Sequence, residues 1–167
     1  PAAALSKAAV VDAFRDSLNA EVVTVERVAA MARDETTNSE TRQEGKYDTR
    51  AIEASYLARG QATRISALRR LRAWFAVFDG TTPLDPPVVQ TGALVVVQEV
   101  NDAEDGPERT FFVAPDGGRA VTVGSETIEL MSPRSPFFQA MAELEQGDEF
   151  SVHSPKGTRE YALSRVS

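Results

Sequence analysis

Two long segments of the chain carry apolar residues at helical spacing. Between residues 5 and 33, and again from about Thr49 to Phe78, apolar positions recur every three or four residues. This spacing predicts two amphipathic helices, and its near-heptad repeat is typical of a coiled-coil seam. We therefore expect an antiparallel helical hairpin roughly 40 Å long. The positions are Val11, Phe14, Leu18, Val22, Val25, Ala29 and Ala32, then Ala51, Ala54, Ala58, Ala62, Ile65, Leu68, Leu71 (or Arg72) and Phe75.

The stretch between these segments, residues 34–48, is dense in carboxylates. It has almost no aliphatic content, contains one glycine (Gly45), and predicts an acidic turn remote from any core. Its acids are Asp34, Glu35, Glu40, Glu44 and Asp48. Three starts are open to the second helix, two of them capping boxes. They are Thr37-x-x-Glu40, Thr41-x-x-Glu44, and Asp48 or Thr49.

After a linker with three prolines and a glycine in residues 79–87, the pattern changes to short strands. A short helix is expected over residues 136–144, with Ser135 as its cap and Pro136 at its first position. Strands are expected within 88–100 and at 109–114, 119–123, 128–131, 150–153 and 158–166. The predicted fold class is α+β. Its parts are a helical coiled-coil hairpin (1–79) with an acidic tip (34–48), a linker (80–90), and a small, mostly antiparallel β domain with one helix (91–167).

Composition narrows the classes of function. The chain has 167 residues, no cysteine and a formal net charge of −7. The acidic balance argues against duplex DNA binding, which needs cations to replace the counterions of phosphates. The longest apolar run, residues 93–97, is far too short to cross a bilayer, so we expect no membrane association. The first residues show no secretory signal pattern, and we expect a cytoplasmic protein.

Carboxylates are the main candidates for chemistry. His153 is the only histidine, so a catalytic triad is not expected. Carboxylates suit Mg²⁺, which needs one or two of them and keeps its waters. The acidic turn could equally serve solubility, because acids near a helix N-terminus are favoured by the helix dipole.

Motifs in the second half resemble those of a known family. Ser135-Pro136 is followed by Ala140 and then by Gly147-Asp148, and a later Ser154-Pro-Lys-Gly157 turn precedes Arg159-Glu160-Tyr161. This order resembles the C-terminal domain of the bacterial GreA/GreB transcript cleavage factors. The acidic-tipped hairpin ahead of it matches the layout of the same family. The resemblance implies an FKBP-like fold for the β domain.

The resemblance also implies a partner. Such factors bind RNA polymerase at its secondary channel, here with Ser135 and Pro136 as polymerase-binding residues, and act as monomers that are not themselves enzymes. The hairpin tip would reach the nascent RNA 3′ end, and no cofactor is expected beyond the Mg²⁺ of the polymerase active site. Glu40 and Glu44 would share that Mg²⁺, with Asp34, Glu35 and Asp48 as auxiliary carboxylates. The basic cluster Arg64, Arg69, Arg70 and Arg72 would contact RNA, or would be a solvated helix face.

The tip departs from the family pattern, and this leaves two mechanisms open. Aligning on Tyr47 or on Arg64 gives registers four residues apart, and neither places both family acids. The factor would therefore either stimulate RNA cleavage or occupy the channel and inhibit it. Two rivals from other classes are an FKBP-like prolyl isomerase and a coiled-coil interaction module. The isomerase needs an aromatic pocket, for which the candidates are Phe111, Phe112, Phe137, Phe138, Phe150 and Tyr161.

Overall fold

A computed structural model describes the backbone of residues 5–40, 49–102 and 104–167, and the side chains of these ranges except 35–40 and 49–55. The protein is α+β, with two long helices followed by a six-stranded sheet and one short helix. The elements are α1 (Lys7–Glu40), α2 (Thr49–Val77), β1 (Leu94–Val100), β2 (Glu108–Val113), β3 (Arg119–Val123), β4 (Glu126–Met131), α3 (Pro136–Met141), β5 (Glu149–Ser154) and β6 (Gly157–Val166). No helix in these ranges has an apolar stretch long enough to cross a membrane.

The chain divides into two compact units. The helical unit comprises residues 15–76, and the sheet unit comprises the chain up to Phe14 together with residues 77–167. Both long helices contribute to both units, since α1 begins at Lys7 and α2 ends at Val77.

The helical unit confirms the two predicted helices. Its buried apolar residues, Leu18, Val22, Ile65, Leu68, Leu71 and Phe75, all belong to the predicted seam. Arg15 donates from Nε to the carbonyl of Phe75 (2.7 Å), whereas Glu21 and Glu26, further along α1, accept from arginines that precede Phe75 in α2. The two helices are therefore antiparallel.

The structure excludes one of the three alternative start positions of the second helix. Residues 37–40 continue α1 to Glu40, so the capping box at Thr37 does not begin α2. Thr49, the last of the three alternatives, is the first residue of α2. The box from Thr41 to Glu44, and Asp48, lie outside the described residues.

The sheet is mostly antiparallel, as predicted, but one parallel pairing makes it mixed. Its strand order is β3-β4-β2-β1-β6-β5, and β2 pairs with β4 in parallel while the other neighbours are antiparallel. The cause lies in the β3–β4 hairpin, which turns at Gly124 and places β3 at the sheet edge. β4 then lies beside β2 and runs in the same direction. The FKBP-like assignment stays a prediction.

Alternation along β2 gives the sheet unit apolar packing on both faces. Phe111 packs on Phe137 of α3, with ring centroids 5.2 Å apart. Phe112 points the other way, toward Phe14 (6.1 Å) and Phe78 (5.7 Å). On the Phe111 side, Phe137 also contacts the rings of Phe150 and Tyr161. Most aromatic candidates for an isomerase pocket therefore lie in the core.

The short helix α3 ends three residues before the predicted end. Glu143 has a positive φ of 64°, and its N–H donates to the carbonyl of Val89 (3.0 Å). Val89 in turn donates to the carbonyl of Leu144 (2.9 Å). These bonds to a distant segment draw the chain away from helical geometry after Met141.

The turn after α2 is closed by a carboxylate. Oδ1 of Asp79 accepts from the hydroxyl (2.6 Å) and the backbone N–H (2.8 Å) of Thr81, and Oδ2 accepts from the hydroxyl of Thr82. These hydrogen bonds to the charged form, those from Thr81 first, lower the pKa of Asp79 from 3.8 to about 2. Gly80, which directly follows Asp79, lies against Val11 of α1. A Cβ at position 80 would be 3.0 Å from Cγ2 of Val11.

Candidate functional site

The sheet unit contains an open pocket of about 430 Å³, which we call the Arg109 pocket. It lies at the ends of β2 and β4, between the loop that follows β2 and the turn that leads into α3. Its lining combines two arginines, two carboxylates and two phenylalanine rings with backbone of both loops. The lining residues are Arg109, Phe111, Asp116, Gly117, Gly118, Glu129, Leu130, Met131, Ser132, Arg134, Ser135 and Phe137.

An arginine covers the aromatic floor of this pocket. Arg109 and Phe111 are two residues apart on β2 and so share one face of the sheet, and Glu129 is the partner of Phe111 in the parallel register. Arg109 donates from Nε (3.2 Å) and Nη2 (3.0 Å) to Oε1 of Glu129, and from Nη2 to Oε2 (3.1 Å). Its guanidinium carbon lies 4.7 Å from the ring centroid of Phe111 and 5.5 Å from that of Phe137. One cation therefore bridges a carboxylate and two rings.

A second charge pair forms another wall. Oδ1 of Asp116 accepts from Nη2 of Arg134 (3.2 Å) and from the N–H of Gly117 (3.0 Å). Gly118 donates to the carbonyl of Leu130 (3.2 Å), which holds the loop against the end of β4. Only glycine fits at position 117, because a Cβ there would lie 2.8 Å from the backbone nitrogen of Ser132.

Of the two predicted polymerase-binding residues, Ser135 lines this pocket and Pro136 follows it as the first residue of α3. The N–H of Ser135 donates to the carbonyl of Ser132 (2.9 Å), and Oγ of Ser132 accepts from the N–H of Arg134 (3.2 Å). This turn leads into α3, with Ser135 at the N-cap and Pro136 in the first turn as predicted. The Ser135 side chain makes no capping hydrogen bond, so the backbone turn shapes the segment.

The predicted tip acids are mostly outside the described residues. Asp34 is exposed near the end of α1. Glu35 and Glu40 belong to α1, but their side chains are not described, and Glu44 and Asp48 lie outside the described residues. The shared Mg²⁺ site at Glu40 and Glu44 stays a prediction. Among the side chains that the structure does describe, no group of histidines or acids could hold a metal ion.

The four predicted RNA-contacting arginines fall into two groups, of which the first, Arg64 and Arg69, is ion-paired. Arg64 is ion-paired with Glu21 (3.4 Å) and Arg69 with Glu26 (2.6 Å) across the two helices. Arg70 is exposed and Arg72 is half-buried. Contact of Arg64 or Arg69 with a phosphate would therefore compete with a carboxylate.

Four charged residues of the pocket were missed from the sequence: Arg109, Asp116, Glu129 and Arg134. A partial signal existed, since Arg109 and Phe111 alternate on a predicted strand and Asp116 lies between two predicted strands. What joins them is the parallel pairing of β2 with β4, which local patterns do not reveal. Exposed arginines beside aromatic rings are enriched where proteins bind proteins. The pocket has the composition of a docking surface.

No protein-family model and no curated protein sequence matches this chain. Among solved structures, GreA factor homolog 1 (Gfh1) of Thermus thermophilus is 16% identical, with 92% of this chain and 94% of that chain covered and a TM-score of 0.36. Thermus aquaticus Gfh1 is 19% identical over 93% and 94%, with a TM-score of 0.37. The prokaryotic transcription elongation factor GreA/GreB from Nitrosomonas europaea is 25% identical over 60% and 78%, with a TM-score of 0.35. With TM-scores this low, these likenesses carry no argument about the function of this chain.

Proposed function

We propose that this protein binds bacterial RNA polymerase and regulates transcription elongation, as a GreA/GreB-like factor of the secondary channel. In this proposal the face around the Arg109 pocket docks on the polymerase, and the acidic end of the helical unit acts near the nascent RNA 3′ end. One observation supports the docking face most. Ser135, singled out from the sequence motif together with Pro136, lines the pocket immediately before α3 begins at Pro136.

The chemistry of the pocket suits a protein partner. Arg134 presents the most exposed charge, with 81% of its side chain accessible, beside a half-exposed Asp116. Charge pairs at the rim give orientation and selectivity, whereas apolar and aromatic surface in the middle supplies affinity. An open pocket of about 430 Å³ admits one or two partner side chains.

The tip carboxylates carry the finer part of the proposal. Glu40 and Glu44 would help to hold a Mg²⁺ at the polymerase active site, where two-metal chemistry hydrolyses the phosphodiester bond. The chain would supply ligands only, so it would be a regulator and not an enzyme. The alternative form of the proposal is a channel competitor that inhibits cleavage.

Binding to core polymerase tests the docking face. Arg134→Glu reverses the exposed charge, and we expect it to weaken binding about tenfold or more, the effect of a well-placed interface arginine. Arg159→Glu is the matched control, because Arg159 is also an exposed arginine of the sheet unit, paired with Glu99 (3.5 Å). The proposal fails if the unchanged protein does not bind at micromolar concentration and low salt. Equal losses in both variants would show a general charge effect instead of a docking face.

Measurement of transcript shortening in a stalled elongation complex distinguishes a cleavage-stimulating factor from a channel competitor. If the tip assists cleavage, Glu40→Ala and Glu44→Ala lower the rate without loss of polymerase binding. Glu126→Ala, in the sheet unit, is the control and leaves the rate unchanged. A protein that binds but slows intrinsic cleavage, with or without these acids, is the competitor.

A further inference from the structure

We propose that Arg109 is a movable lid on the aromatic floor of the pocket, held shut by Glu129 and displaced when a partner docks. The identity of that partner rests on the proposed function. The lid itself follows from the geometry of the sheet unit.

The floor is aromatic surface that the closed lid conceals. Phe111 is 2% exposed although it lines an open pocket. The ring centroids of Phe111 and Phe137 are 5.2 Å apart, and the guanidinium carbon of Arg109 lies 4.7 Å from the ring centroid of Phe111. The same guanidinium reaches Phe137 at 5.5 Å. Moving this one side chain would therefore uncover parts of two rings together.

The latch that holds the lid is open to solvent. Arg109 and Glu129 are 42% and 44% exposed, so water screens their ion pair and competes for its hydrogen bonds. The flexible stem of arginine crosses apolar surface while its head stays near water. A rigid brace would instead be buried, with several acceptors fixing its position.

The pocket gives the lid room to move. Its volume of about 430 Å³ borders both Arg109 and Glu129, so the guanidinium can leave the rings without displacing backbone. The open state then presents an aromatic floor between two separated charges. This surface fits an apolar side chain of the polymerase beside an acidic residue that pairs with the released Arg109.

Lid opening can be measured without any partner. In protein with ¹³C-labelled phenylalanine rings, a neutral gadolinium chelate relaxes ring protons according to their accessibility. We expect Glu129→Gln and Arg109→Ala to raise the relaxation of Phe111 and Phe137, and to leave Phe112, on the opposite face, unchanged. Glu99→Gln is the matched control, since it removes the carboxylate paired with Arg159 elsewhere in the sheet unit. Unchanged rings in folded Glu129→Gln protein would overturn the lid and leave Arg109 as a static brace.

Polymerase binding then tests what the lid does. Because Glu129→Gln removes the latch while keeping its shape, we expect binding to core polymerase to tighten by up to about fivefold, the most that an exposed pair opposes. Accessible rings with weaker binding would overturn the gating role and assign Glu129 to partner contact. If the unchanged protein does not bind polymerase at all, the proposed function fails, and the ring measurement still decides whether the lid exists.

Discussion

Gly117→Ala is the smallest change that tests how the pocket is built. Gly117 has no side chain between its loop and the end of β4. A Cβ at this position would lie 2.8 Å from the nitrogen of Ser132, 2.9 Å from the oxygen of Leu130 and 3.3 Å from the carbonyl carbon of Met131. All three are backbone atoms, so no flexible side chain can yield.

The loss of stability in Gly117→Ala depends on which segment must move to make room for the new methyl group. β4 is hydrogen-bonded to β2 on one side and β3 on the other, so the loop must shift instead. Overpacking by one methyl group against rigid backbone costs about 1–3 kcal/mol. For a chain of this length each kcal/mol corresponds to about 2–4 °C in Tm. The loop shift should also disturb the pair between Asp116 and Arg134, so under the proposed function polymerase binding should weaken together with stability.

Calorimetry and hydrogen exchange of the β2 and β4 amides would follow the sheet unit separately from the helical unit. Gly60→Ala is the matched control, because nothing lies within 4 Å of its Cβ position in α2. There the same substitution should stabilise by about 1 kcal/mol through helix propensity. A Gly117→Ala protein as stable as the unchanged chain would show that the loop does not rest on β4.

Three further outcomes follow from single contacts. Asp79 should titrate near pH 2 when its carboxyl ¹³C shift is followed by NMR. The stabilisation from its hydrogen bonds is fully present above pH 3.8 and is lost as pH falls through 2. A titration midpoint near 3.8 would contradict these hydrogen bonds. Burial lowers the pKa of Lys7, against the charge of Asp79, and its Nζ lacks a hydrogen-bond partner among the described residues. Lys7→Met should therefore raise Tm slightly, with a gain of less than about 1 kcal/mol in the free energy of unfolding because the side chain is only partly buried. The gain should shrink as pH rises toward 10.5, because the ammonium then deprotonates. Glu26→Arg should destabilise the helical unit by less than about 1 kcal/mol by facing Arg69, and adding Arg69→Glu should restore it in a double-mutant cycle; independent effects would contradict the contact between Glu26 and Arg69.

Elements with strong local signals could be predicted from the sequence. The seam from Leu18 to Phe75 repeats over several turns, so both long helices were predicted, and the strand predicted at 119–123 is found as β3 with the same bounds. The end of α3 was missed because Val89, more than fifty residues before Glu143 in the chain, sets it by hydrogen bonding. Local periodicity contains no information about that bond.

The candidate site was predicted only at its edge. Ser135 and Pro136 carry a motif and a cap signal, whereas the rest of the pocket comes from three separate segments. Arg109 and Glu129 meet because β3 folds outward and lets β4 lie beside β2. Such non-local pairing depends on the whole sheet, so the charges that line the pocket could not be located from strand patterns.

The pairing of arginines with carboxylates favours a protein over a nucleic acid as the direct partner of the described surfaces. In both units arginines are held by acids, as Arg69 is by Glu26 and Arg134 is by Asp116, and the whole chain has a net charge of −7. Binding to RNA phosphates would require breaking such pairs against the repulsion of the surplus acids. A protein surface with charges of both signs can instead exchange partners with them. Of the four predicted RNA-contacting arginines, Arg70 is therefore the better candidate than Arg64 or Arg69, and Arg70→Ala should impair any RNA contact more than Arg64→Ala in crosslinking to the transcript 3′ end.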